Sequence, residues 1–244
     1  MSGGAEMKVL HEGTITNQAL HKKLPLRMKR LYLEDLPAIE AVQEAVIADL
    51  RDKTALHPLS TEEYLFILNE RGLMVGAYAE DELIGFRALL IPEIDEEHLG
   101  YDIGLPEEEL PKVIYQEISA VLPAYRGNRL QQKLADVIMN ELPKLPGNFH
   151  YVACTVAPMN IPSLKDKFTQ DMYIVALTQK YGSKERYVCV KDLEKPTLAY
   201  TESAAAKLDD FQRQHELLAA GYVGVNFQMK DGFHEIQFVK PTLS

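Results

Sequence analysis

Between residues 26 and 195 the apolar positions come in short blocks whose spacing switches between two and 3.6, and each switch predicts a change of element. "LRMKRLYL" (26–33) reads as a first strand. Leu36, Ile39, Val42 and Val46 then recur on one helical face, with Asp35 as the expected cap. Ser60 with Glu63 three residues later is a capping box, which opens a second helix in "TEEYLFILNER". "LMVGAYAEDELIGFRALLIP" reads as two strands around the turn Glu80-Asp81-Glu82. The twenty residues of "EIDEEHLGYDIGLPEEELPK" hold eight acids and one lysine. They read as a solvated loop with one helical turn after Leu105, or as a lid that draws in a cation. "VIYQEISAVLP" is strand-like, and Leu130, Leu134, Ile138 and Leu142 return to helical spacing. A strand in "FHYVACTVAP", a helix in "NIPSLKDKFTQ" capped by Asn160, and a hairpin around Gly182 complete this region.

The ends of the chain follow a different pattern. Residues 1–25 show no sustained period and read as an N-terminal extension. Pro196 marks a break before a C-terminal appendage, 196–244. There "AAAKLDDFQRQHELLAAGY" is amphipathic helix ending at Gly221, and "VGVNFQMKDGFHEIQFVK" is a hairpin turning at Asp231-Gly232. The organisation expected is therefore 1–25, an α+β core over 26–195, and 196–244, with no internal repeat.

Composition narrows the function. A chain of 244 residues with 46% hydrophobic and 25% charged residues is ordinary for a globular protein. No apolar run approaches the roughly 18 residues of a membrane span, and the polar start has no signal-peptide core, so a cytoplasmic protein with no membrane partner is expected. Lys+Arg 26 against Asp+Glu 36 gives −10, which disfavours nucleic acid and suits a cationic or amine substrate. Cys154 and Cys189 are too few for a disulfide framework or a zinc cage and read as strand packing. His215 in "HELLA" lacks the second histidine of a helical zinc site, and no metal is expected. The chain also contains neither GxxxxGK[ST] nor GxGxxG.

The chemistry concentrates in "VLPAYRGNRLQQKL" (121–134), where a strand breaks at Pro123 and Gly127 and a helix follows. A glycine turn opening a helix presents free N–H groups and a positive dipole end, a natural seat for phosphate. Arg126 and Arg129 flank it. The stretch resembles the pyrophosphate turn of the GNAT superfamily of CoA-dependent N-acyltransferases, [QR]-x-x-G-x-[GA], commonly preceded by V-x-P-x-Y. Arg126 and Gly127 take the first two motif positions; Arg129 replaces the usual glycine and Gln131 the usual small residue. An arginine in a left-handed conformation costs about 1–2 kcal/mol, comparable to the roughly 1.5–3 kcal/mol of a charge-assisted bond to phosphate.

The resemblance, over about residues 26–193, implies a three-layer GNAT-type fold with a mixed, splayed central sheet flanked by helices, beside the C-terminal helix and hairpin. It implies acetyl-CoA as cosubstrate, bound by Val121, Leu122, Arg126, Gly127, Asn128, Arg129, Leu130 and Gln131. It further implies Asn160 and Ser163, similar to the family's N-x-x-[AS], along the pantetheine arm. Lys167 stands where many members carry a tyrosine that protonates the thiolate. Tyr115, Glu117, Ser119 and Val121 share one face of their strand, and Glu117 is the candidate general base or a residue that orients substrate. The expected activity is acetyl transfer to a small-molecule or peptide amine. A silent acyl-CoA sensor or scaffold is the alternative, and the appendage is read as covering the core or forming a homodimer. The resemblance also implies that Cys154 and Cys189 lie on neighbouring strands.

Overall fold

A computed structural model describes residues 8–50, 57–182, 184–195 and 198–242. Pro196 lies outside the described residues. In chain order the elements are β1 (Val9–Asn17), β2 (Lys22–Arg30), α1 (Leu36–Asp49), α2 (Thr61–Phe66), β3 (Gly72–Ala79), β4 (Glu82–Leu90), α3 (Leu99–Asp102), β5 (Val113–Val121) and α4 (Leu130–Glu141). They continue with β6 (Tyr151–Val156), α5 (Ile161–Phe168), β7 (Tyr173–Lys180), β8 (Lys184–Asp192), β9 (Tyr200–Lys207), α6 (Phe211–Ala219), β10 (Val223–Lys230) and β11 (Phe233–Pro241). The helices and strands expected between 26 and 195 are all present, with a 3-10 segment at Glu107–Lys112 after Leu105.

Three local readings are corrected. The stretch read as an N-terminal extension without a sustained period contains β1, which pairs antiparallel with β2 from Asn17↔Lys22 onward. Little more of β1 than Ile15 and Asn17 is buried, so a strand held mainly by its backbone ladder leaves almost no period in the sequence. Asp35 stands at the head of α1 but its carboxylate does not cap it. That carboxylate instead accepts from Tyr32 N at 2.9 Å and the Tyr78 hydroxyl at 2.9 Å. Finally, Ala204–Ala206 belong to strand β9, paired with Phe238–Ile236 of β11, and α6 begins only at Phe211. Ladder pairing overrides the helix propensity of the alanines, and Asp210, whose Oδ1 accepts from Arg213 N at 3.0 Å, supplies the cap.

The chain divides into two compact units, 1–91 with 116–146 and 92–115 with 147–244. The first has the strand order β1-β2-β3-β4-β5, with β2, β3 and β4 antiparallel neighbours. Its core joins Ile39, Val42 and Val46 of α1 to Tyr64, Met74, Phe86, Ile118 and Ala120, all buried. Gln43 ties α1 to the start of α2: its amide exchanges two 2.9 Å bonds with the main chain of Leu59 and accepts from the Tyr64 hydroxyl at 2.7 Å. Gly85 lets β4 approach β5 closely, because a Cβ there would lie 2.8 Å from Ala120 O.

The second unit has the order β5-β6-β8-β7-β10-β11-β9. Parallel pairing of β5 with β6 is confined to Val113–Tyr115, and the remaining pairs are antiparallel, so the sheet is mixed. Cys154 lies directly opposite Cys189 on β6 and β8, as expected, and both thiols are free and buried. The contact with Cys154 and then burial push the Cys189 thiol well up, which makes it an inert packing group. The C-terminal hairpin turns at Asp231-Gly232, as expected, and β10 joins β7 at Gly224↔Ile174. Gln214 of α6 is fully buried; it accepts from the Tyr187 hydroxyl at 2.7 Å and donates to Lys207 O at 2.7 Å and Leu208 O at 3.1 Å. Among the described residues no helix is long and apolar enough to cross a membrane.

Candidate functional site

The strand-to-helix turn after β5 lies wholly within the first unit. Leu122 N donates to Ile84 O at 2.9 Å, so β4 holds the end of β5; the main-chain groups of Val121, one residue back, point the other way. A 3-10 turn over Pro123–Tyr125 follows, and buried Tyr125 places its hydroxyl 3.3 Å from Glu82. The chain then reverses through Gly127 at φ +81° and Arg129 at φ +55°, ψ +30°. Leu130, Leu134 and Ile138 are buried on the inner face of α4, and Leu142 just beyond it, as their spacing predicts.

Arg129 heads the twelve-residue α4 in a left-handed conformation and makes no side-chain cap bond. The N–H groups of the first helical turn have no intrahelical acceptor in any α-helix, so those of Leu130 and Gln131 are left at the positive end of the dipole. A non-glycine residue in this region is strained by about 1–2 kcal/mol, and such strain gathers at ligand-binding turns. Turn, helix end and exposed Arg129 guanidinium together offer an anion both donors and charge.

The other basic residues are placed differently. Arg126, exposed beside Gly127, is ion-paired with Asp49 at the C-terminal end of α1. Asn128 has its side chain committed to the protein: Oδ1 accepts from Thr16 N at 3.1 Å, and Nδ2 donates to Thr16 O at 2.8 Å and Tyr125 O at 2.9 Å. What Asn128 can offer a ligand is its main-chain N–H. Beneath the turn, Arg87 of β4 is 1% exposed, and its Nη1 lies 3.4 Å from Gln131 O. Arg87 and Asp49 escaped sequence reasoning; the one available signal was a single charge inside the apolar run "LIGFRALL".

Glu117 sits on the half-buried face of β5 with Ser119, in the alternation its sequence predicts. Burial first, and the negative charge of Glu63 second, push its carboxyl up to about 7. Glu63 is held by the capping box: its carboxylate accepts from Ser60 N at 2.7 Å while Ser60 Oγ accepts from Glu63 N at 3.2 Å. A carboxyl with its midpoint near neutrality is suited to accept a proton from an ammonium.

The remaining expected residues belong to the second unit. Asn160 caps α5 as its position predicts, its Oδ1 accepting from Ser163 N at 3.1 Å. Lys167, at the family's tyrosine position, is buried and lies 3.3 Å from Asp166. The structure thus brings Glu117, Val121, Leu122 and residues 126–131 into one unit, and Asn160 with Ser163 into the other. Among the described residues no group of three or more His, Cys, Asp or Glu side chains is placed to hold a metal ion.

No protein-family model matches the sequence, and no curated protein matches it. Solved structures do match. yncA of Salmonella typhimurium, assigned as an acetyltransferase and solved with its cofactor acetyl-CoA, is 13% identical, covering 70% of this chain and 95% of its own, at a TM-score of 0.51. The ribosomal-protein-S18-alanine N-acetyltransferase of Escherichia coli is 14% identical over 69% of this chain and 94% of its own, with a TM-score of 0.51. The GNAT domain of S. lividans PAT is 16% identical over 75% and 97%, with a TM-score of 0.50. The chain therefore has the α+β fold of the GNAT acetyltransferases, a mixed sheet flanked by helices.

Proposed function

We propose that this protein is an N-acetyltransferase that moves an acetyl group from acetyl-CoA to a primary amine by direct attack on the thioester. The observation that carries this reading is the left-handed Arg129 beside Gly127, at the head of a helix that its own side chain does not cap. On this reading the diphosphate of CoA rests on the main-chain N–H groups of residues 127–131, with the guanidinium groups of Arg129 and Arg126 on its charge. Arg126 exchanges Asp49 for phosphate. Val121, whose main-chain groups point away from β4, pairs with the pantetheine arm.

A neutral amine attacks the carbonyl carbon; the C–N bond forms, the C–S bond breaks, and CoA leaves as thiolate. Glu117, directly or through a water, takes the ammonium proton. A thiol of pKa near 8.5 leaves readily enough that no dedicated acid is required at the position of Lys167. Holding donor and amine together supplies the larger part of the acceleration. An overall charge of −10 favours a cationic acceptor.

Calorimetry with CoA, and release of free thiol from acetyl-CoA in the presence of a panel of amines, test this. Binding with thiol release on at least one amine is expected. Tight binding with no release on any amine replaces the enzyme with an acyl-CoA sensor, and no binding removes the phosphate assignment itself.

A further inference from the structure

The turn that carries Gly127 is not built from its own segment alone. The end of β1 is fastened to it by bonds that span more than a hundred residues of sequence. Gln18 N donates to Ala124 O at 2.7 Å, Thr16 N donates to Asn128 Oδ1 at 3.1 Å, and Asn128 Nδ2 returns a bond to Thr16 O at 2.8 Å. The corner of the β1–β2 hairpin is itself fixed, since Asn17 is buried and its Oδ1 accepts from Ala19 N and Leu20 N at 3.0 Å each. Gln18 thus projects from an anchored main chain.

Its side chain reaches the turn. Around the position a Cβ on Gly127 would occupy, the described residues place one atom within 4 Å outside the immediate chain neighbours: Gln18 Nε2, at 4.0 Å. The side chain is exposed. A neutral amide nitrogen carries two donors and no charge, so beside an anion it adds hydrogen bonds that neither the helix end nor the arginines supply. Among the described residues no carboxylate bonds to it, in contrast to Arg126.

We propose that Gln18 is a cofactor-binding residue: its side-chain amide donates to the diphosphate seated over Gly127, and the β1–β2 hairpin is a working part of that seat. This rests on the phosphate assignment made under Proposed function. It goes further by adding to the site an element that lies before the region of family resemblance. Asn128 is the positioning residue of this arrangement, because it holds the hairpin to the turn through Thr16 rather than touching the ligand with its side chain.

The test uses the full-length protein and three probes: CoA, dephospho-CoA, which keeps the diphosphate, and pantetheine, which lacks it. Loss of a neutral hydrogen bond predicts that Gln18→Ala weakens CoA and dephospho-CoA by about three- to tenfold while pantetheine is unchanged. Gln18→Glu, which sets a negative charge against the phosphates, weakens both phosphorylated probes further. The midpoint of thermal unfolding stays within about 2 °C, as expected of an exposed side chain whose main-chain bond to Ala124 survives. If wild-type protein binds CoA much more tightly than pantetheine, yet Gln18→Ala and Gln18→Glu bind CoA within twofold of it, the role of Gln18 is overturned and the phosphate seat stands. If wild type does not distinguish CoA from pantetheine, the seat is wrong and the inference falls with it.

Discussion

Replacing Arg129 with glycine is expected to move stability and cofactor affinity in opposite directions. Arg129 holds φ +55°, ψ +30°, and among the described residues its side chain makes no hydrogen bond or ion pair, so its removal breaks no polar contact there. Relief of the left-handed strain contributes about 1–2 kcal/mol to the folded state. The greater freedom of glycine in the unfolded chain offsets about 0.5–1 kcal/mol of that. The balance is a stabilisation of about 0–1.5 kcal/mol, which for a chain of this size raises the unfolding midpoint by a few degrees at most. Loss of a charged donor to phosphate, in contrast, weakens CoA binding by about tenfold or more. Scanning calorimetry and CoA titration on the same preparations measure the two effects. A variant that is clearly less stable than wild type would show that Arg129 is held by packing and that its conformation is not a cost retained for a ligand. A more stable variant with unchanged CoA affinity would remove its guanidinium from the site.

Asp49→Asn is expected to tighten CoA binding by up to about fivefold, because an exposed ion pair to Arg126 no longer competes with phosphate; equal or weaker binding in the variant counts against Arg126 as a phosphate contact. Glu117 gives a signed pH effect. Its folded pKa of about 7 exceeds the ordinary 4.5, so its contribution to stability is complete below about pH 4.5 and is lost as pH rises through 7. Glu117→Gln should therefore match wild type at pH 4 and exceed it above pH 8 by at most about 3 kcal/mol. The rising limb of kcat/KM near pH 7 should flatten in the same variant. Stability curves that run parallel from pH 4 to 9 would refute the burial of this carboxyl, and an intact limb would move the base elsewhere.

What could be read from the sequence was local. The inner face of α4, the Ser60–Glu63 capping box, the Asn160 cap and the half-buried alternation of β5 each involve residues two to four apart, and short-range geometry settles them. The turn after β5 was legible for the same reason. What was hidden depends on distant strands: β1 has little buried surface of its own, and the alanines of β9 take their conformation from β11. The candidate site was divided in the same way. Gly127, Arg129 and Glu117 could be named as candidates from short-range pattern, whereas Asp49 reaches Arg126 from 77 positions away and Arg87 reads as an anomaly in a strand until Gln131 O is found against it.

The bond between Thr16 and Asn128 also sets an order on biosynthesis. It joins positions 112 residues apart, and a nascent chain lengthening at about 5–20 residues per second takes roughly 6–22 s to supply the second position after the first. The β1–β2 hairpin must therefore wait through the emergence of three further strands before its anchor exists. Loop closure of this length is among the slower steps available to a domain. The turn proposed to seat the diphosphate is thus completed only at a late stage of folding, and CoA added during refolding should act after most of the secondary structure has formed.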